Sequence, residues 1–355
     1  MSGKLSRRQL LFLMGALSVG GATYLLSDDI EEALAEKKTE PISNGLVPLI
    51  YSPHYNFTAF GIEKLHPFDS KKYEKIHREL VKNGVREDND FLRPSSITEE
   101  QLRMVHSERY LKSLTDSFEL AKIFEVGPTM FVPAVLLDWR ILKPMRIAAG
   151  GTLLTMRKAL KHGLAINVGG GYHHASENHG GGFCVYSDIP VATKVLQKEG
   201  LVKTVMIVDT DAHQGNGFAI EAKKPESSLF MLDFYDETIY PHPKVEEDWS
   251  VPFPRNTVGK VYLSKLEETL PAAIEKVKPD LIVYNAGSDV LESDPLSTFK
   301  LQASEMNKRD LFVVECARER NVPLAMVLAG GYGKESGMAH ANSIKAILNK
   351  FDDRT

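Results

Sequence analysis

Two apolar, strand-like runs of this chain end in side chains that bind metals. Asp209, Asp211 and His213 follow one run, and Asp289 follows another. Residues two apart on an extended backbone project to the same face, so Asp211 and His213 can hold one ion together. With Asp289 they offer three ligands and leave a fourth position open. An open position is typical of a catalytic zinc site rather than a structural one.

Asp209 lies on the same face one step further back, where it could orient a histidine or hold a second cation. Ordinary polar caps at a strand end are a weak alternative, because such charges are costly to cluster after an apolar run without a metal. Two carboxylates and one imidazole could also take iron or cobalt. The pattern predicts a metal-dependent hydrolase.

A triple-glycine segment, 169–171, stands two residues before the adjacent pair His173 and His174. Glycines let the backbone approach a ligand closely, so the pair can offer its imidazoles to a pocket. A lone histidine is more often a satisfied core residue, but two after such a turn favour a site. A neutral imidazole can take a proton from water, and an imidazolium can protonate a leaving amine.

Two further glycine-rich segments precede aromatic residues. Gly182 stands before Phe183, and 330–331 stand before Tyr332, whose hydroxyl could donate to an oxyanion. Taken alone, either aromatic residue would more often belong to the core. Beside the metal set they indicate pocket walls and a hydrogen-bond donor.

The elements that must position these residues alternate between two kinds of pattern. Strand-like runs lie at 47–51, 164–168, 204–208, 228–232, 281–284 and 324–328, and helix-like stretches lie at 71–83, 98–104, 108–118, 145–162, 189–199, 260–277, 305–319 and 335–349. This alternation predicts a mostly parallel sheet with helices on both faces. Ligands bind beyond the carboxyl ends of such strands, which is where the glycine-rich segments fall.

Bulk composition is that of an ordinary globular protein. The chain has 355 residues, 43% of them apolar and 25% charged, with a net charge of -4. It has no basic tract that would indicate nucleic-acid binding. Neither Cys184 nor Cys316 has a second cysteine nearby, so we do not expect thiolate metal ligands. Two free, buried thiols are the favoured prediction, and a single disulfide is the alternative.

The N-terminal residues 1–44 read as a signal or anchor segment with a linker, ahead of a catalytic domain at 45–355. Arg7 and Arg8 precede an uncharged run at 10–26, an arrangement that resembles a twin-arginine export signal. Residues 33–35 offer a cleavage site, and without cleavage the run would attach the protein to a membrane. The alternative is a packed N-terminal helix in a cytoplasmic protein.

In combination and in order, these motifs resemble those of the zinc-dependent histone deacetylases, most closely the class IV group. The resemblance runs from about residue 46 to 350. It is carried by segments 51–56, 63–69, 166–168 with the histidine pair, 181–189, 209–217, 284–289 and 330–332.

The resemblance implies the arginase/deacetylase fold, an α/β three-layer α/β/α sandwich with a mostly parallel central sheet. It also implies hydrolysis of acetyl or longer acyl groups from lysine side-chain amides. Its zinc would be bound by Asp211, His213 and Asp289. His173 and His174 would be the paired histidines beside the reacting water, and Tyr332 would hydrogen-bond the substrate carbonyl and then the oxyanion.

Further roles are implied around this centre. The acyl-lysine channel would be lined by Gly182, Phe183, Tyr240 and Leu296. Asp209 would orient His173 and join a structural potassium site, to which backbone carbonyls near Asp211, His213 and Leu232 would also contribute.

One position departs from the class I pattern. Asn216 stands where class I members place an aspartate beside the second histidine, although class II and class IV members also carry asparagine. An amide cannot stabilise an imidazolium as a carboxylate does, so His174 should lose its proton more easily. The division of acid and base roles between His173 and His174 is open at this point.

Three alternative functions would share part of this pattern. A ureohydrolase such as arginase shares the implied fold but uses two metals and commonly an aspartate two residues after the metal-site histidine, where this chain has Gly215. An acetylpolyamine amidohydrolase would perform the same chemistry on a small free amine. A catalytically inactive binding module would usually have lost Tyr332, a histidine or a ligand. The predicted substrates are therefore an acyl-lysine protein or peptide, or an acetylpolyamine, with the oligomeric state undetermined.

Overall fold

One all-parallel sheet of eight strands forms the centre of the part of the chain described by the computed structural model, residues 45–57 and 68–353. The strands are β1 (Leu49–Ile50), β2 (Phe91–Leu92), β3 (Leu164–Asn167), β4 (Val205–Asp209), β5 (Leu229–Asp236), β6 (Trp249–Phe253), β7 (Leu281–Asn285) and β8 (Leu324–Val327). Their order across the sheet is β2-β1-β3-β8-β7-β4-β5-β6. The six predicted strands are all found, and β2 and β6 were not predicted.

Helices follow most of the strands along the chain. They are α1 (Lys72–Lys82), α2 (Glu99–Leu102), α3 (Glu108–Ser113), α4 (Ser117–Ile123), α5 (Ala134–Leu137), α6 (Lys143–His162), α7 (Asp188–Lys198), α8 (Asn216–Ala222), α9 (Gly259–Val277), α10 (Ala303–Glu319) and α11 (Ser336–Phe351). A π-helical turn, Asp138–Leu142, joins α5 to α6. Of these, α5 and α8 were not predicted.

Side chains of each central strand alternate between two hydrophobic cores, as the period of two along a strand requires. On β4, Met206 and Val208 belong to the core that includes α1, α9, α10 and α11. Val205 and Ile207 belong to the opposite core, which includes α4, α6, α7 and α8. The sheet is therefore the middle layer of three, which confirms the predicted α/β/α sandwich.

The single helix predicted over 108–118 is wrong. Helix α3 ends near Leu114, and α4 begins after Asp116, whose side chain accepts a hydrogen bond from the backbone N–H of Phe118 at 2.9 Å. A side chain that satisfies a first-turn N–H in this way favours a new helix start over continuation of the old helix. The amphipathic pattern runs through both helices and hides the break.

Several predictions concern residues outside the described part of the chain. The export signal, the membrane anchor and the domain boundary near residue 44 fall there, as do residues 63–67 of one family motif. Within the described ranges, no helix has both the length and the apolar character needed to cross a membrane. Cys184 and Cys316 are both free and buried, which confirms the prediction of two unpaired thiols.

Candidate active site

The carboxyl ends of the neighbouring strands β4 and β7 bring three potential metal ligands together. Asp211 and His213 follow β4, Asp289 follows β7, and all three are buried. One ligand atom from each lies within 4.8 Å of the others. The Nδ1 atom of His213 is 3.1 Å from Oδ1 of Asp211 and 2.9 Å from Oδ2 of Asp289. The three residues predicted from the strand ends therefore converge on one point.

The chemistry of this group fits a divalent cation. Asp211 and Asp289 have no exposed surface, and burial together with the charge of Asp211 raises the pKa of Asp289. Two adjacent carboxylates are costly to bury unless a positive charge lies between them. Their outer oxygens are engaged, since Gly330 N donates to Asp211 at 2.8 Å and Ala212 N donates to Asp289 at 2.8 Å. Nitrogen and oxygen donors in this number suit zinc.

Glycine is required beside the carboxylates. A Cβ atom placed on Gly287 or on Gly330 would lie 2.5 Å from Oδ2 of Asp211, closer than real Cβ contacts allow. The metal group, as we call Asp211, His213 and Asp289, is therefore approached by the backbone at both glycines. A residue with a side chain could not come so close. This explains why the glycines recur after β7 and β8.

His173 is held by a carboxylate. Its Nδ1 lies 3.0 Å from Oδ2 of Asp209, while Oδ1 of Asp209 accepts hydrogen bonds from Asn285 Nδ2 at 2.9 Å and from Asp211 N at 3.1 Å. Burial alone would lower the pKa of His173, but the charges of Asp211 and Asp209 outweigh it and raise that pKa to about 9. The two carboxylates therefore favour the protonated form of the His173 imidazole.

His174 has the opposite environment. Its Nδ1 is 2.7 Å from Oδ1 of Asn216, and this oxygen can only accept, so Nδ1 carries the proton and Nε2 is an acceptor. Burial and the charge of neighbouring His173 lower the pKa of His174 well below its ordinary value. A Cβ on Gly182, which has a φ of +50°, would lie 2.4 Å from the His174 ring. Glycine thus lets the segment at Gly182 pack closely against the His174 imidazole.

Asp188 fixes the loop that carries the histidine pair. It is fully buried and accepts hydrogen bonds from the backbone of Gly171 and Tyr172, each at 2.9 Å, and from Thr152 Oγ1 at 2.7 Å. Sequence reasoning assigned Asp188 no role beyond its place in a motif. A carboxylate at the first position of α7 was the only local signal, and its partners lie far away in sequence.

Tyr332 lies on the loop after β8, and Lys72 donates hydrogen bonds to backbone carbonyl groups of this loop. Its ring centroid is 5.9 Å from that of His213, nearly perpendicular to it. Burial, followed by the charges of Asp211 and Asp289, raises the pKa of Tyr332 well above its usual value, so the phenol keeps its proton and can donate.

The buried Lys72 Nζ donates to the carbonyl oxygens of Ala329 at 2.8 Å and Gly330 at 3.0 Å. Ala329 adopts a φ of +45°, in the left-handed region that non-glycine residues rarely occupy. Lys72 was missed by sequence reasoning, although it stands at i, i+4 and i+8 with Ile76 and Leu80 on the buried face of α1. A lysine in an apolar stripe was the available signal.

Phe183 lines the pocket with other aromatic rings. Its centroid lies 5.4 Å from Phe57, 5.7 Å from Phe68 and 5.3 Å from Phe124, and its own φ is +66°. A cavity of about 30 Å³ is lined by Phe57, Phe68 and Phe183 together with His173, His174, Gly182 and Tyr332. Strained backbone of this kind clusters at functional sites.

Tyr240 and Leu296 lie further out. The ring of Tyr240 is 4.8 Å from that of His174, and 39% of the residue is exposed. Leu296 is 36% exposed and connects to the site through Asp294, which accepts its backbone N–H at 3.0 Å. Of the predicted channel residues, the structure thus places Gly182, Phe183 and Tyr240 against the histidine pair or its cavity, and Leu296 only indirectly.

The residues of the predicted potassium site lie on adjacent strands. Leu232 on β5 pairs with Val208, one level before Asp209, which pairs with Asp233. Asp233 is fully buried, and its Oδ2 accepts the N–H of Gly215 at 2.8 Å. Sequence reasoning missed this second carboxylate, which stands level with Asp209.

Comparisons with known proteins identify a family model, relatives and solved structures that this chain resembles. Residues 66–348 match the model of the histone deacetylase domain. The chain is 40% identical over 304 residues to histone deacetylase 2 of Arabidopsis thaliana, covering 85% of this chain and 78% of that protein. The HDA15 HD domain superposes with a TM-score of 0.69 at 20% identity, covering 86% of this chain and 89% of the other. Acetylpolyamine aminohydrolase from Burkholderia pseudomallei gives 0.65 at 16% identity, covering 86% and 98%.

Proposed function

Because the chain belongs to the histone deacetylase family, we propose that it is a zinc-dependent hydrolase that removes acetyl or longer acyl groups from lysine side-chain amides. The observation that carries the proposal is the convergence of Asp211, His213 and Asp289 in a buried site beside the paired His173 and His174. The class IV resemblance of the motifs is part of the same proposal.

Zinc would be held by Asp211, His213 and Asp289, and when bound it would act as a Lewis acid toward the amide carbonyl and make water more acidic. The donor set and the burial of two adjacent carboxylates support this assignment. A structural potassium ion would be held near Asp209, with the backbone of Asp211, His213 and Leu232.

Proton transfer would be divided between the two histidines. Neutral His174, with Nε2 as an acceptor, takes the proton of the attacking water because Asn216 already binds its Nδ1–H. His173, whose charged form is favoured by Asp211 and by its hydrogen-bond partner Asp209, would stabilise the negative charge that develops in the transition state. Both histidines are then protonated, and the pair donates one proton to the leaving lysine amine.

The remaining groups would bind and polarise the substrate. The phenol of Tyr332 donates a hydrogen bond to the substrate carbonyl and a stronger one to the tetrahedral oxyanion. Gly182 and Phe183 would flank the acyl-lysine side chain, and Tyr240 and Leu296 would lie nearer the channel mouth. The exposure of Tyr240 and Leu296 supports that order.

The experiment that tests the function is turnover by the metal-loaded protein of acyl-lysine peptides from acetyl to long-chain, with acetylpolyamines alongside. Each substrate is assayed with and without a hydroxamate chelator. Chelator-sensitive release of free lysine, with one zinc per chain by elemental analysis, is the expected result. Release from acetylpolyamines alone would establish the small-amine alternative. A protein that holds one zinc and turns over no substrate would contradict the enzyme assignment.

We also propose that residues 1–44 direct export or membrane attachment through Arg7 and Arg8. The proposal rests on the arginine pair ahead of the uncharged run at 10–26. Fractionation of cells that express the full chain should place it outside the cytoplasm, and replacing both arginines by lysine should keep it inside. An exported enzyme would meet acylated peptides, polyamines or envelope components. Equal cytoplasmic retention of both versions would refute the signal and leave the catalytic assignment intact.

A further inference from the structure

A buried carboxylate outside the metal group holds the backbone of Tyr332. Oδ2 of Asp294 accepts the N–H of Tyr332 at 2.7 Å and the N–H of Gly333 at 3.0 Å. Asp294 is only 5% exposed. Hydrogen bonds from backbone N–H groups to a carboxylate are about twice as strong as those between neutral groups, so this pair fixes the start of the Tyr332 segment firmly.

The second oxygen of the same carboxylate reaches the channel wall. Oδ1 of Asp294 accepts the N–H of Leu296 at 3.0 Å. Nearby, Ser293 Oγ donates to Glu335 at 2.8 Å, and a Cβ on Gly333 would lie 3.2 Å from the Ser293 carbonyl. The segment 293–296 and the segment that carries Tyr332 are therefore in close contact, and Asp294 is the group that joins them.

Three backbone donors converge on one side chain that is not among the three potential metal ligands. An asparagine could accept with one oxygen only, and its NH₂ would then oppose a backbone N–H on the other side. The ionised carboxylate is thus the side chain of this size that satisfies both segments at once. A role in shaping the site explains why a charge is buried here, since burial of a charge is costly unless it is fully hydrogen-bonded.

We propose that Asp294 is a positioning residue for the reaction: it sets the phenol of Tyr332 at the substrate carbonyl and ties it to the channel segment at Leu296. The inference rests on the proposed function, in which Tyr332 donates to the oxyanion. Displacement of a catalytic group by about 1 Å can cost on the order of 100-fold in rate. Asp294→Asn should therefore lower kcat by about 10- to 100-fold, with KM changed by less than about threefold.

A double-mutant cycle separates positioning from a general structural role. We compare kcat of the full-length, metal-loaded wild type, Asp294→Asn, Tyr332→Phe and the double variant on an acetyl-lysine peptide. If Asp294 acts through the phenol, Asp294→Asn should cost less than about twofold in the Tyr332→Phe background, because the hydroxyl it positions is already gone. The same fold-loss in both backgrounds, or no loss in either, would overturn the proposal.

Control variants complete the design. Asp280→Asn is the matched control, because Asp280 also accepts two backbone N–H groups, from Lys203 at 2.7 Å and Thr204 at 2.9 Å, at the amino ends of β4 and β7, away from the site. Its activity should equal that of the wild type. Asp294→Glu keeps the charge and replaces Asp294→Asn in the cycle if the amide variant does not fold, with the same non-additivity expected.

Failure of the proposed function has a separate signature. Near-normal turnover by Tyr332→Phe alone would remove the phenol from the mechanism, and with it the basis of this inference. A large loss in Tyr332→Phe combined with additive losses in the double variant would refute only the role of Asp294. Zinc content should be one per chain in every variant.

Discussion

The proposed role of His174 as the base depends on the amide of Asn216. Replacing that amide by a carboxylate tests this role. The Nδ1 of His174 lies 2.7 Å from Oδ1 of Asn216, and His174 is only 2% exposed. Asn216→Asp changes the shape of the side chain little but places a carboxylate at that distance. An opposite charge within about 4–6 Å shifts a pKa by about 1–3 units toward the charged form. The pKa of His174, now well below its ordinary value, should rise by that amount.

The sign of the effect on rate follows from the proton balance. A base with a higher pKa is protonated, and so inactive as a base, over a wider range of acid pH. The acid limb of kcat/KM should therefore move to higher pH by about 1–3 units, and below the new pKa the rate should fall about tenfold per unit. On the alkaline side of the limb, the variant should approach the wild-type rate.

The assay is kcat/KM against pH, from about pH 5 to 9, on one acetyl-lysine peptide, with wild type and variant at equal zinc content. Asn349→Asp is the matched control, because the exposed Asn349 near the end of α11 receives the same charge away from the site. Its profile should overlay the wild type. An acid limb that stays fixed in Asn216→Asp would show that another group sets it, and the assignment of His174 as base would be wrong.

Three further outcomes follow from the same site and fold. Tyr332→Phe should lower kcat by about 100- to 1000-fold while one zinc per chain is retained, and near-normal turnover would contradict its role. Asp211→Ala should abolish zinc binding and hydrolysis together, so retained stoichiometric zinc would count against it as a ligand. Burial lowers the pKa of His106 to about 4 from an ordinary 6.5, so between these values the unfolded chain binds the proton more readily than the folded one, and stability falls as the pH is lowered. The free energy of unfolding should drop there by up to about 3 kcal/mol in chemical denaturation, and His106→Gln should flatten the drop; an equal slope in both proteins would refute the assignment.

The central strands could be predicted from sequence because both of their faces are buried. Strands β4 and β7 are buried on both faces, so each appears as an unbroken apolar run with a polar end. Strand β6 escaped prediction because it lies at the edge of the sheet, contains Pro252 and exposes alternate residues. Strand β2 has only two residues, too few for any periodicity.

The convergence of Asp211, His213 and Asp289 could be predicted for a different reason. Asp211 and His213 are two residues apart on one strand end, and Asp289 follows a neighbouring strand, so topology alone brings them together. The groups that hold the loops gave no such signal. Lys72 contacts a carbonyl 257 positions away, and Asp188 and Asp294 accept from backbone segments on other loops. Such pairings depend on packing that a single sequence does not specify.

These missed residues have a common physical role. Lys72 satisfies carbonyl oxygens of the segment before Tyr332, Asp294 satisfies its N–H groups, and Asp188 satisfies the N–H groups before the histidine pair. Ala329 and Phe183 adopt left-handed φ values, which cost on the order of 1–3 kcal/mol each and persist only where the surrounding structure imposes them. Buried charges with several backbone partners can impose that geometry. We therefore expect turnover at this site to depend on side chains that need touch neither metal nor substrate. A substitution among them should lower kcat while Asp211, His213 and Asp289 stay in place.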